Sequence, residues 1–415
     1  MSIILFEDRR VTRLHPITVG RPAYAISCGS YRLVDWIRRL EQPVRAVVRP
    51  HLTEIQRADF SDLNADPANV DEPLLLVNSR LVPSVSVFKS LRQIVQSAQP
   101  GIVRLGECVA AALLPSAGAP PAAELTVQQM DDYLLGGKIA QLGAIDVKLS
   151  LLEYPHDLIR FNQQIFPENL EFRLAEGSYR EIADGVFAAA GAALGRHAVI
   201  DTGGGPIVLE KEAVVGPHCF LSGPAHLGQA ARVIEHAAIK DSVSIGHTTK
   251  IGGEVAASII EPYTNKQHHG FLGHSYLGSW INLGAGTCNS DLKNTYGQVK
   301  MEYDGEKVDT GMQFIGCIMG DYAKSAINTG IFTGKTVGAC SMVYGFVTTN
   351  VPSFVNYARL FGQVTEIPAD VMVATQRRMF QRRRVEQRPS DIQLIHDMFQ
   401  LTHDERQLAG EPLSL

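Results

Sequence analysis

"LEKEAVVGPHCFLSGPAHLGQAARVIEHAAIKDSVSIGHTTKIG", residues 209–252, carries an aliphatic residue at every sixth position. These positions are Leu209, Val215, Leu221, Leu227, Val233, Ile239, Ile245 and Ile251. A six-residue period fits neither an amphipathic helix nor a two-sided strand. It is typical of a β-solenoid, in which each short strand points one aliphatic residue inward and a small residue turns the corner. Gly directly follows four of the eight aliphatic residues, as such corners require.

The period extends over most of residues 184–352, which we interpret as one solenoid domain. A second run in its own register occupies Met319, Ser325, Ile331, Val337 and Val343. Residues 287–314 do not follow the period, so we expect them to leave the solenoid as a loop or hairpin.

Residues 1–183 have a different pattern, in which short apolar runs alternate with helix-like stretches. The runs SIILF (2–6), VRAVVR (44–49) and PLLLVN (73–78) predict buried strands. YRLVDWIRRLEQ (31–42) and SVFKSLRQIVQSA (86–98) have apolar residues at helical spacing. Alternating strands and helices predict a Rossmann-like α/β domain with a parallel sheet.

Residues 353–415 predict a short helical tail. DVMVATQRRMFQRRRVEQ (370–387) and PSDIQLIHDMFQLTHDER (389–406) are periodic, and Pro389 with Ser390 predicts a helix start. Arginines at positions 377, 378, 382, 383, 384 and 388 form a basic run. A solvated helix face is the commoner meaning of such a run, and phosphate binding is the alternative.

Composition narrows the classes of function. The net charge of −5 provides no global attraction to nucleic acid or to an anionic membrane. The six cysteines contain no CxxC pair, which indicates reduced thiols and no zinc signature. The N-terminus does not resemble a signal peptide, and no apolar window is long enough for a membrane helix. We therefore expect a soluble cytoplasmic protein.

The stretch NKQHHGFLGHSYLG (265–278) concentrates three histidines. Adjacent His268 and His269 on a strand point to opposite faces, so only one of them would join His274 in a site. The spacing matches no zinc pattern, and we expect no metal. One histidine is suited to act as a general base, since its ordinary pKa of about 6.5 keeps it largely neutral at pH 7.

The hexads resemble the left-handed β-helix of hexapeptide-repeat acyltransferases. The stretches HHGFLGHSYLGSWINLGAGTCN (268–289) and IMGDYAKSAINTGIFTGKTVGACSMVYG (318–345) are most similar to the bifunctional N-acetylglucosamine-1-phosphate uridyltransferase/glucosamine-1-phosphate acetyltransferase family. Over most of the chain, the sequence also resembles a sugar nucleotidyltransferase-like branch of that family. The resemblance implies acetyl-CoA or another acyl-CoA as co-substrate.

The resemblance also implies roles for individual residues. His268 falls on the general base and Glu254 on the carboxylate that orients it. Asn282 and Asn289 fall on substrate-binding asparagines, while Asn328 and Thr329 fall where acyl-CoA binds. Lys266 and Lys293 are further candidates to bind a sugar phosphate, because a lysine ammonium group forms charge-assisted hydrogen bonds with phosphate oxygens. We expect His269 and His274 to pack or form hydrogen bonds around the base.

Three positions depart from the family pattern. Phe271 replaces an aromatic hydroxyl that contacts the sugar phosphate, so one substrate hydrogen bond is lost. Ala256 replaces a phosphate-binding lysine near Glu254, and Ile327 replaces a serine near the thioester. These departures leave acyl transfer in place and put the usual substrate in doubt.

The motifs of the N-terminal domain are degenerate. TRLHPIT (12–18) resembles the end of a nucleotidyltransferase signature, but the glycines that normally precede it are absent. In LLLVNSRLVP (74–83), Arg80 replaces a magnesium-binding aspartate, and an arginine offers no oxygen ligand. We expect Arg13, Arg21 and Arg80 to bind a phosphorylated ligand without Mg²⁺, with surface salt bridges as the alternative.

These observations predict acyl-CoA-dependent transfer to an amino sugar, sugar phosphate or nucleotide sugar. One alternative is a sugar-1-phosphate nucleotidyltransferase with a non-standard site, for which the need for Mg²⁺ stays open. Another is a non-catalytic nucleotide-sugar-binding or scaffold protein. The resemblance also implies a homotrimer, and closed cyclic symmetry suits a self-complementary β-helix face.

Overall fold

The chain divides into two compact units in a computed structural model that describes residues 1–64, 72–115, 126–136, 139 and 141–408. Unit 1 contains residues 1–14, 20–27 and 31–154, and unit 2 contains residues 15–19, 28–30 and 155–415. The last seven residues of the predicted tail, 409–415, lie outside the described residues. No helix in the described segments is both long enough and apolar enough to cross a membrane.

Unit 1 is built on a five-stranded sheet with the order β4-β1-β5-β7-β6. Its strands are β1 (Ser2–Phe6), β4 (Val44–Val47), β5 (Leu74–Asn78), β6 (Gly101–Leu105) and β7 (Cys108–Leu114). The three strands predicted from the sequence are all present, and they pair in parallel as expected. β7 pairs antiparallel with both β5 and β6. For β6, the two-residue connection is too short for the crossover that parallel strands require.

Short strands and helices complete unit 1. The two-residue strands β2 (Ser27–Cys28) and β3 (Tyr31–Arg32) pair with each other in a separate sheet. The helices are α1 (Leu33–Arg38), α2 (Thr53–Asp59), α3 (Val85–Ser97) and α4 (Val127–Leu135), with 3₁₀ turns at Arg9–Leu14, Ala23–Ala25, Pro50–Leu52 and Ser61–Leu63. Both helices predicted from the sequence are present as α1 and α3, and Ser84 caps α3 by accepting a hydrogen bond from the amide of Val87.

Unit 2 is a parallel β-helix with three faces, which confirms the predicted fold class. Face 1 contains β10 (Ala193–Leu194), β13 (Val214–Val215), β16 (Arg232–Val233), β19 (Lys250–Ile251), β22 (Asn265–Lys266), β25 (Asn282–Leu283), β30 (Lys324–Ser325), β33 (Met342–Val343), β35 (Val355–Ala358) and β36 (Gln363–Glu366). Face 2 contains β11 (Val199–Asp201), β14 (Phe220–Ser222), β17 (Ala238–Lys240), β20 (Glu254–Ala256), β23 (Phe271–Gly273), β26 (Cys288–Asn289), β31 (Gly330–Ile331) and β34 (Phe346–Val347). Face 3 contains β8 (Arg180–Ala183), β9 (Val186–Ala188), β12 (Ile207–Leu209), β15 (Ala225–Leu227), β18 (Val243–Ile245), β21 (Ile259–Ile260), β24 (Tyr276–Leu277), β29 (Cys317–Met319) and β32 (Lys335–Val337).

The hexad residues form the core of this β-helix. All eight aliphatic positions of the first run are at most 2% exposed, and the five positions of the second run are at most 7% exposed. Neighbouring coils lie one strand spacing apart, about 4.8 Å. The four glycines that follow hexad residues are required by this spacing, since a Cβ at any of them would come within 2.7 Å of the next coil's backbone.

The hairpin predicted from the broken period is also present. Residues 290–316 leave the β-helix after β26, form an antiparallel hairpin of β27 (Lys300–Tyr303) and β28 (Glu306–Asp309), and return at β29. Leu292 and Phe314 form a bridge at the base of this excursion.

Helices flank the β-helix within unit 2. They are α5 (Asp157–Glu176), α6 (Ala369–Arg382), α7 (Pro389–Leu401) and α8 (His403–Leu408), with a 3₁₀ turn at Arg359–Phe361. Phe166 and Leu170 of α5 pack against Val208 of face 3. The tail helices begin within one residue of the positions predicted, and Phe380 of α6 packs on Trp280 with ring centroids 4.5 Å apart.

Replacing a hexad residue should cost far more stability than replacing an exposed aliphatic residue. Ile239 is fully buried, whereas Ile327 is 68% exposed. Ile239→Ala should lower the free energy of unfolding by about 2–5 kcal/mol, because it opens a cavity between coils. Ile327→Ala removes the same atoms and should change it by less than about 0.5 kcal/mol. Urea denaturation measures both, and equal losses would contradict the assignment of the inward row.

Candidate functional site

His268 lies at the first corner, the set of turns that join face 1 to face 2. Its turn, residues 267–270, is longer than the preceding turn of the same corner, residues 252–253. Both His268 and His269 are exposed. The His268 imidazole forms no hydrogen bond with any described residue, so it is available to a ligand.

Lys266 holds this turn from inside the β-helix. It occupies an inward position of face 1, next to Ile251 in the ladder, and is only 2% exposed. Its Nζ donates to the carbonyl oxygens of Gly252 (2.8 Å), His268 (3.3 Å) and Gly270 (2.7 Å). Burial lowers the pKa of Lys266 to about 8, although Cys288 and Glu254 act in the opposite direction. The prediction that Lys266 meets a sugar phosphate therefore needs correction, because its ammonium group is used within the fold.

The coils that follow bring further residues to the first corner. The amide of Gly286 donates to the carbonyl of His269 (3.0 Å), so the two turns are adjacent. A Cβ at Gly286 would lie 2.2 Å from Oδ1 of Asn328, which places Asn328 on the next turn of the same corner. Asn328 and Ile327 are exposed there. His269, Gly286 and Asn328 thus align in one row along the first corner, and His268 precedes this row by one residue in its turn.

Thr329 and Asn289, in contrast, are used by the fold. Thr329 is 1% exposed and donates its hydroxyl hydrogen to the carbonyl of Ala326 (2.9 Å). Asn289 is 5% exposed, and its side chain accepts from the amide of Gly273 (2.9 Å) and donates to its carbonyl (3.1 Å). The predictions that these side chains bind acyl-CoA or substrate need correction, since Asn289 satisfies backbone groups of the preceding coil and Thr329 satisfies a carbonyl of its own turn.

Glu254 has a different partner from the one predicted. Its carboxylate accepts a hydrogen bond from Lys240 Nζ (2.8 Å), and it forms no hydrogen bond with His268 among the described residues. Lys240 lies beside Ala256 in the face 2 ladder. Face 2 therefore carries a lysine next to the position where the sequence has lost one. In this structure, the orienting role predicted for Glu254 is replaced by an ion pair.

Phe271 and Asn282 lie on different faces. The amide of Phe271 donates to Sγ of exposed Cys288 (3.3 Å). The ring of Phe271 covers Gly273, where an added Cβ would lie 2.4 Å from a ring atom. Asn282 is exposed on face 1, and its Oδ1 is 3.4 Å from Nδ2 of Asn265. The side chains predicted for one substrate site thus lie on both sides of the first corner.

His274 has several side-chain contacts at the base of the 290–316 excursion. Its Nδ1 lies 2.8 Å from Asp291 Oδ2, and its ring stacks on Phe314 with centroids 5.2 Å apart. The amide of Gly316 also donates to the carbonyl of His274 (2.8 Å). These are the contacts of a packed side chain that secures the excursion. Within the excursion, Lys293 donates to the carbonyl of Gln298 (3.0 Å).

In unit 1, Arg80 is part of a buried ion pair. It is fully buried, and its guanidinium donates to both carboxylate oxygens of Asp8 (2.8 and 2.7 Å) and to the carbonyl of Leu152 (2.6 Å). Asn78 also donates to Asp8 (2.9 Å). The prediction that Arg80 binds a phosphorylated ligand needs correction, because Asp8 already occupies its guanidinium.

The other two arginines predicted for a ligand are more accessible. Arg13 is 45% exposed, and its guanidinium lies 3.9 Å from Glu153 and 5.8 Å from the ring centroid of Tyr154. Arg21 is half-buried, and its carbonyl accepts from Arg49 (3.0 Å). Across the described part of the chain, no three His, Cys, Asp or Glu side chains are grouped as a metal site.

Sequence reasoning missed the structural role of Lys266 and the pairs Lys240–Glu254 and His274–Asp291. A signal for the first was present, since Lys266 stands at an inward position between coils whose inward residues are aliphatic. The two pairs join residues 14 and 17 positions apart in the chain. Whether two residues at such a spacing are neighbours on adjacent coils can be decided only when the number of residues in each coil is known.

Comparison with known proteins finds one family model and several curated proteins to which this chain is similar. Residues 3–177 match the family model described as sugar nucleotidyl transferase. The chain is 24% identical over 148 residues to a bifunctional sugar-1-phosphate nucleotidylyltransferase/acetyltransferase from Sulfurisphaera tokodaii, covering 35% of this chain and 37% of that protein. It is 30% identical over 125 residues to the bifunctional protein GlmU of Bordetella parapertussis, covering 25% and 27%.

The matches thus span about a third of the length of these curated relatives. Among solved structures, the UDP-N-acetylglucosamine acyltransferase of Francisella novicida is 18% identical, with 56% of this chain and 79% of that chain covered and a TM-score of 0.32. The chain is similar to GlmU-type bifunctional proteins with a nucleotidyltransferase-like domain and a β-helix.

Replacing Lys266 should loosen the His268 turn. Lys266→Met keeps the volume but removes the Nζ donor from three carbonyls, of which that of Gly270 still accepts from the amide of Glu254 (3.1 Å). We therefore expect a loss of about 1–3 kcal/mol in the free energy of unfolding. Amide hydrogen exchange at residues 267–271 should also become faster. Lys324→Met is the matched control, because burial likewise lowers the pKa of Lys324 to about 8 but its Nζ donates to one carbonyl, that of Tyr322.

The stability loss caused by Lys266→Met should depend on pH. Between pH 8 and about 10.5, the unfolded chain keeps the Lys266 proton and the folded chain releases it. Stability from this group therefore rises with pH across that window, and the deficit of the mutant should grow there. A control variant that loosens the 267–270 turn equally would contradict the role given to Lys266.

Proposed function

Taking the similarity to GlmU-type bifunctional proteins as our premise, we propose that this chain is an acyl-CoA-dependent acyltransferase. The acceptor would be an amino sugar, a sugar phosphate or a nucleotide sugar, and His268 would be the general base. Acetyl-CoA is the simplest donor consistent with the names of the relatives. A donor of this kind also fits the cytoplasmic location predicted from the sequence.

The observation that supports this proposal most is the exposed imidazole of His268 on a turn fixed by Lys266. A general base must be accessible to substrate and held in a defined position, because proton transfer requires hydrogen-bond contact. The three bonds from Lys266 fix the backbone around His268, and the His268 side chain has no hydrogen-bond partner among the described residues. None of the described ion pairs neutralises or occupies that imidazole.

The reaction follows from this arrangement. As the acceptor nitrogen attacks the thioester carbonyl, the nitrogen–carbon bond forms and the imidazole takes the proton from nitrogen. When the tetrahedral intermediate collapses, the carbon–sulfur bond breaks and the imidazolium returns the proton to the departing thiolate. Backbone N–H groups or Asn328, which is exposed at the same corner, are available to stabilise the oxyanion.

Two features of face 2 bear on the acceptor. Lys240 lies beside Ala256 and supplies a cation close to the place where the phosphate-binding lysine is lost. Its pairing with Glu254 would have to be exchanged for a substrate phosphate, so Glu254 would act on substrate binding rather than on His268. Phe271 presents an apolar edge instead of a hydroxyl, which favours an acceptor that differs from the usual sugar phosphate.

The second candidate function is nucleotide or sugar phosphate binding by unit 1, favoured by the family match over residues 3–177. The Asp8–Arg80 ion pair stands where metal-dependent nucleotidyl transfer would need a free carboxylate. A guanidinium provides no oxygen ligand for Mg²⁺. We therefore propose that unit 1, through exposed Arg13, binds a phosphorylated ligand without catalysing nucleotidyl transfer.

We further propose that the chain assembles as a homotrimer. Acyltransferases with the β-helix fold that this chain resembles bind acyl-CoA between neighbouring subunits, and a closed ring satisfies the exposed faces. Sedimentation equilibrium at micromolar concentration should give a mass three times that of the 45.3 kDa chain. A monomer under these conditions would contradict a site shared between subunits.

His268→Ala should lower kcat by about 10²–10⁴-fold, because the reaction loses its proton acceptor. Acyl-CoA affinity should persist, since an exposed imidazole contributes little packing. The acid limb of activity against pH should disappear in this variant. The measurement is release of free thiol from acetyl-CoA with amino-sugar phosphates, followed at several pH values.

Three variants serve as controls for this experiment. His269→Ala should retain activity, and Glu254→Gln should cost less than His268→Ala because it leaves the base intact. His274→Ala should affect mainly the stability of the excursion. The proposal would be wrong if all three histidine variants lost activity equally and zinc restored the chelated parent. Absence of thiol release with every acceptor would instead favour a binding or scaffold protein.

A further inference from the structure

Four cationic side chains come together on face 1, and we name Arg232, Lys250, Arg382 and Arg383 the face 1 cation cluster. Arg232 and Lys250 are direct neighbours in the ladder, one strand spacing apart. Asn265 is the next residue in that row. Arg382 and Arg383 come from the end of α6, and Nη2 of Arg383 donates to Oδ1 of Asn265 (2.7 Å). The cluster is therefore built from two separate parts of unit 2.

No carboxylate in the described part of the chain neutralises the cluster. Within the described residues, none of its four side chains forms an ion pair, and the one side-chain hydrogen bond is that from Arg383 to neutral Asn265. Other arginines of the same basic run do find partners, since Arg388 pairs with Asp391 and Arg377 donates to Gln387. Of this basic run, only Arg382 and Arg383 are placed at face 1 by the contacts of the described residues.

The electrostatic environment agrees with this geometry. Burial lowers the pKa of Lys250, and Arg383, Arg232 and Arg382 lower it further by repulsion. Burial and Arg382 likewise lower the pKa of Arg383. Like charges held close together disfavour the folded chain unless a counter-charge binds between them.

We propose that the face 1 cation cluster is a binding site for a phosphate monoester or diphosphate group of a small molecule. Arginine forks and a lysine ammonium are the groups that recognise phosphate oxygens, the arginines by paired hydrogen bonds and the lysine as a point charge. Asn265 orients Arg383 toward the row, which prepares the cluster before the ligand arrives. The net charge of −5 for the whole chain favours a small ligand over a nucleic acid.

The position of the cluster connects it to the proposed reaction. Asn265 precedes His268 by three residues, so their Cα atoms are at most about 10 Å apart. Two sources of the phosphate are compatible with this distance, the acyl-CoA donor and a phosphorylated acceptor. This choice of source rests on the proposed function, whereas phosphate binding itself does not.

The test is calorimetry on the full-length protein with sodium pyrophosphate, coenzyme A, 3′-dephospho-coenzyme A and glucosamine-1-phosphate as separate probes. Lys250→Met and Arg382→Gln should each weaken binding of at least one phosphate probe by roughly 10- to 100-fold. Arg378→Gln is the matched control, because this exposed arginine of the same helix lies outside the cluster. It should change binding by less than about twofold. Raising the salt concentration should reduce affinity in the wild type more than in Lys250→Met.

The outcomes separate this proposal from the proposed acyl transfer. If dephosphorylating coenzyme A weakens wild-type binding but not Lys250→Met binding, the donor supplies the phosphate. If the variants lose only glucosamine-1-phosphate, the acceptor supplies it. Phosphate binding with no thiol release would support the cluster and refute the acyltransferase. Binding within twofold of wild type in both cluster variants, or tighter binding of a single-stranded oligonucleotide than of every small probe, would overturn the cluster proposal.

Discussion

The close stacking of successive coils is the constraint on which unit 2 depends. Each coil must present an inward aliphatic residue and must pass its neighbour at the spacing of hydrogen-bonded strands. This spacing removes room for a Cβ at the glycines that follow the hexad residues. It also aligns residues from different coils into rows along each face and corner. A functional site on this fold is therefore assembled from residues that are one coil apart.

Lys266 is the informative exception to that constraint. A lysine at an inward position gives up aliphatic packing and must bury an ammonium group, which is costly unless hydrogen bonds compensate. Here three carbonyls compensate, and two of them belong to the turn that carries His268. Departures from local consistency of this kind are expected at functional sites, where stability is traded for a defined geometry. Lys266, the exception, thus binds the same turn that carries the exposed His268.

Much of the fold could be predicted because its causes are local in sequence. The period of six follows from the hexads, and the strands of unit 1 follow from short buried apolar runs. Side-chain partners could not be predicted in the same way. Glu254 pairs with Lys240, and Asp8 pairs with Arg80, because coil length and strand order place them together. Neither coil length nor strand order can be read directly from a single sequence.

The same reason explains why some side chains of the candidate site are used within the fold. His268, Asn282 and Asn328 are exposed as a binding role requires, whereas Asn289 and Thr329 are also polar but are buried and bond to backbone groups. Whether a polar residue in a hexad repeat faces solvent or the neighbouring coil depends on the inserted residues before it. The longer turn at 267–270 and the 290–316 excursion both shift that register.

The most direct test of the central claim is a crystal structure of the protein with a non-hydrolysable acyl-CoA analogue. The account predicts that the acyl carbonyl lies at the first corner. The nitrogen that receives the acyl group would then fit between this carbonyl and the His268 imidazole, within hydrogen-bond reach of the imidazole. It also predicts that the 267–270 turn keeps its bonds to Lys266 when the analogue binds. An analogue bound against His274 and Asp291, or bound away from the first corner altogether, would contradict the assignment of His268 as the base.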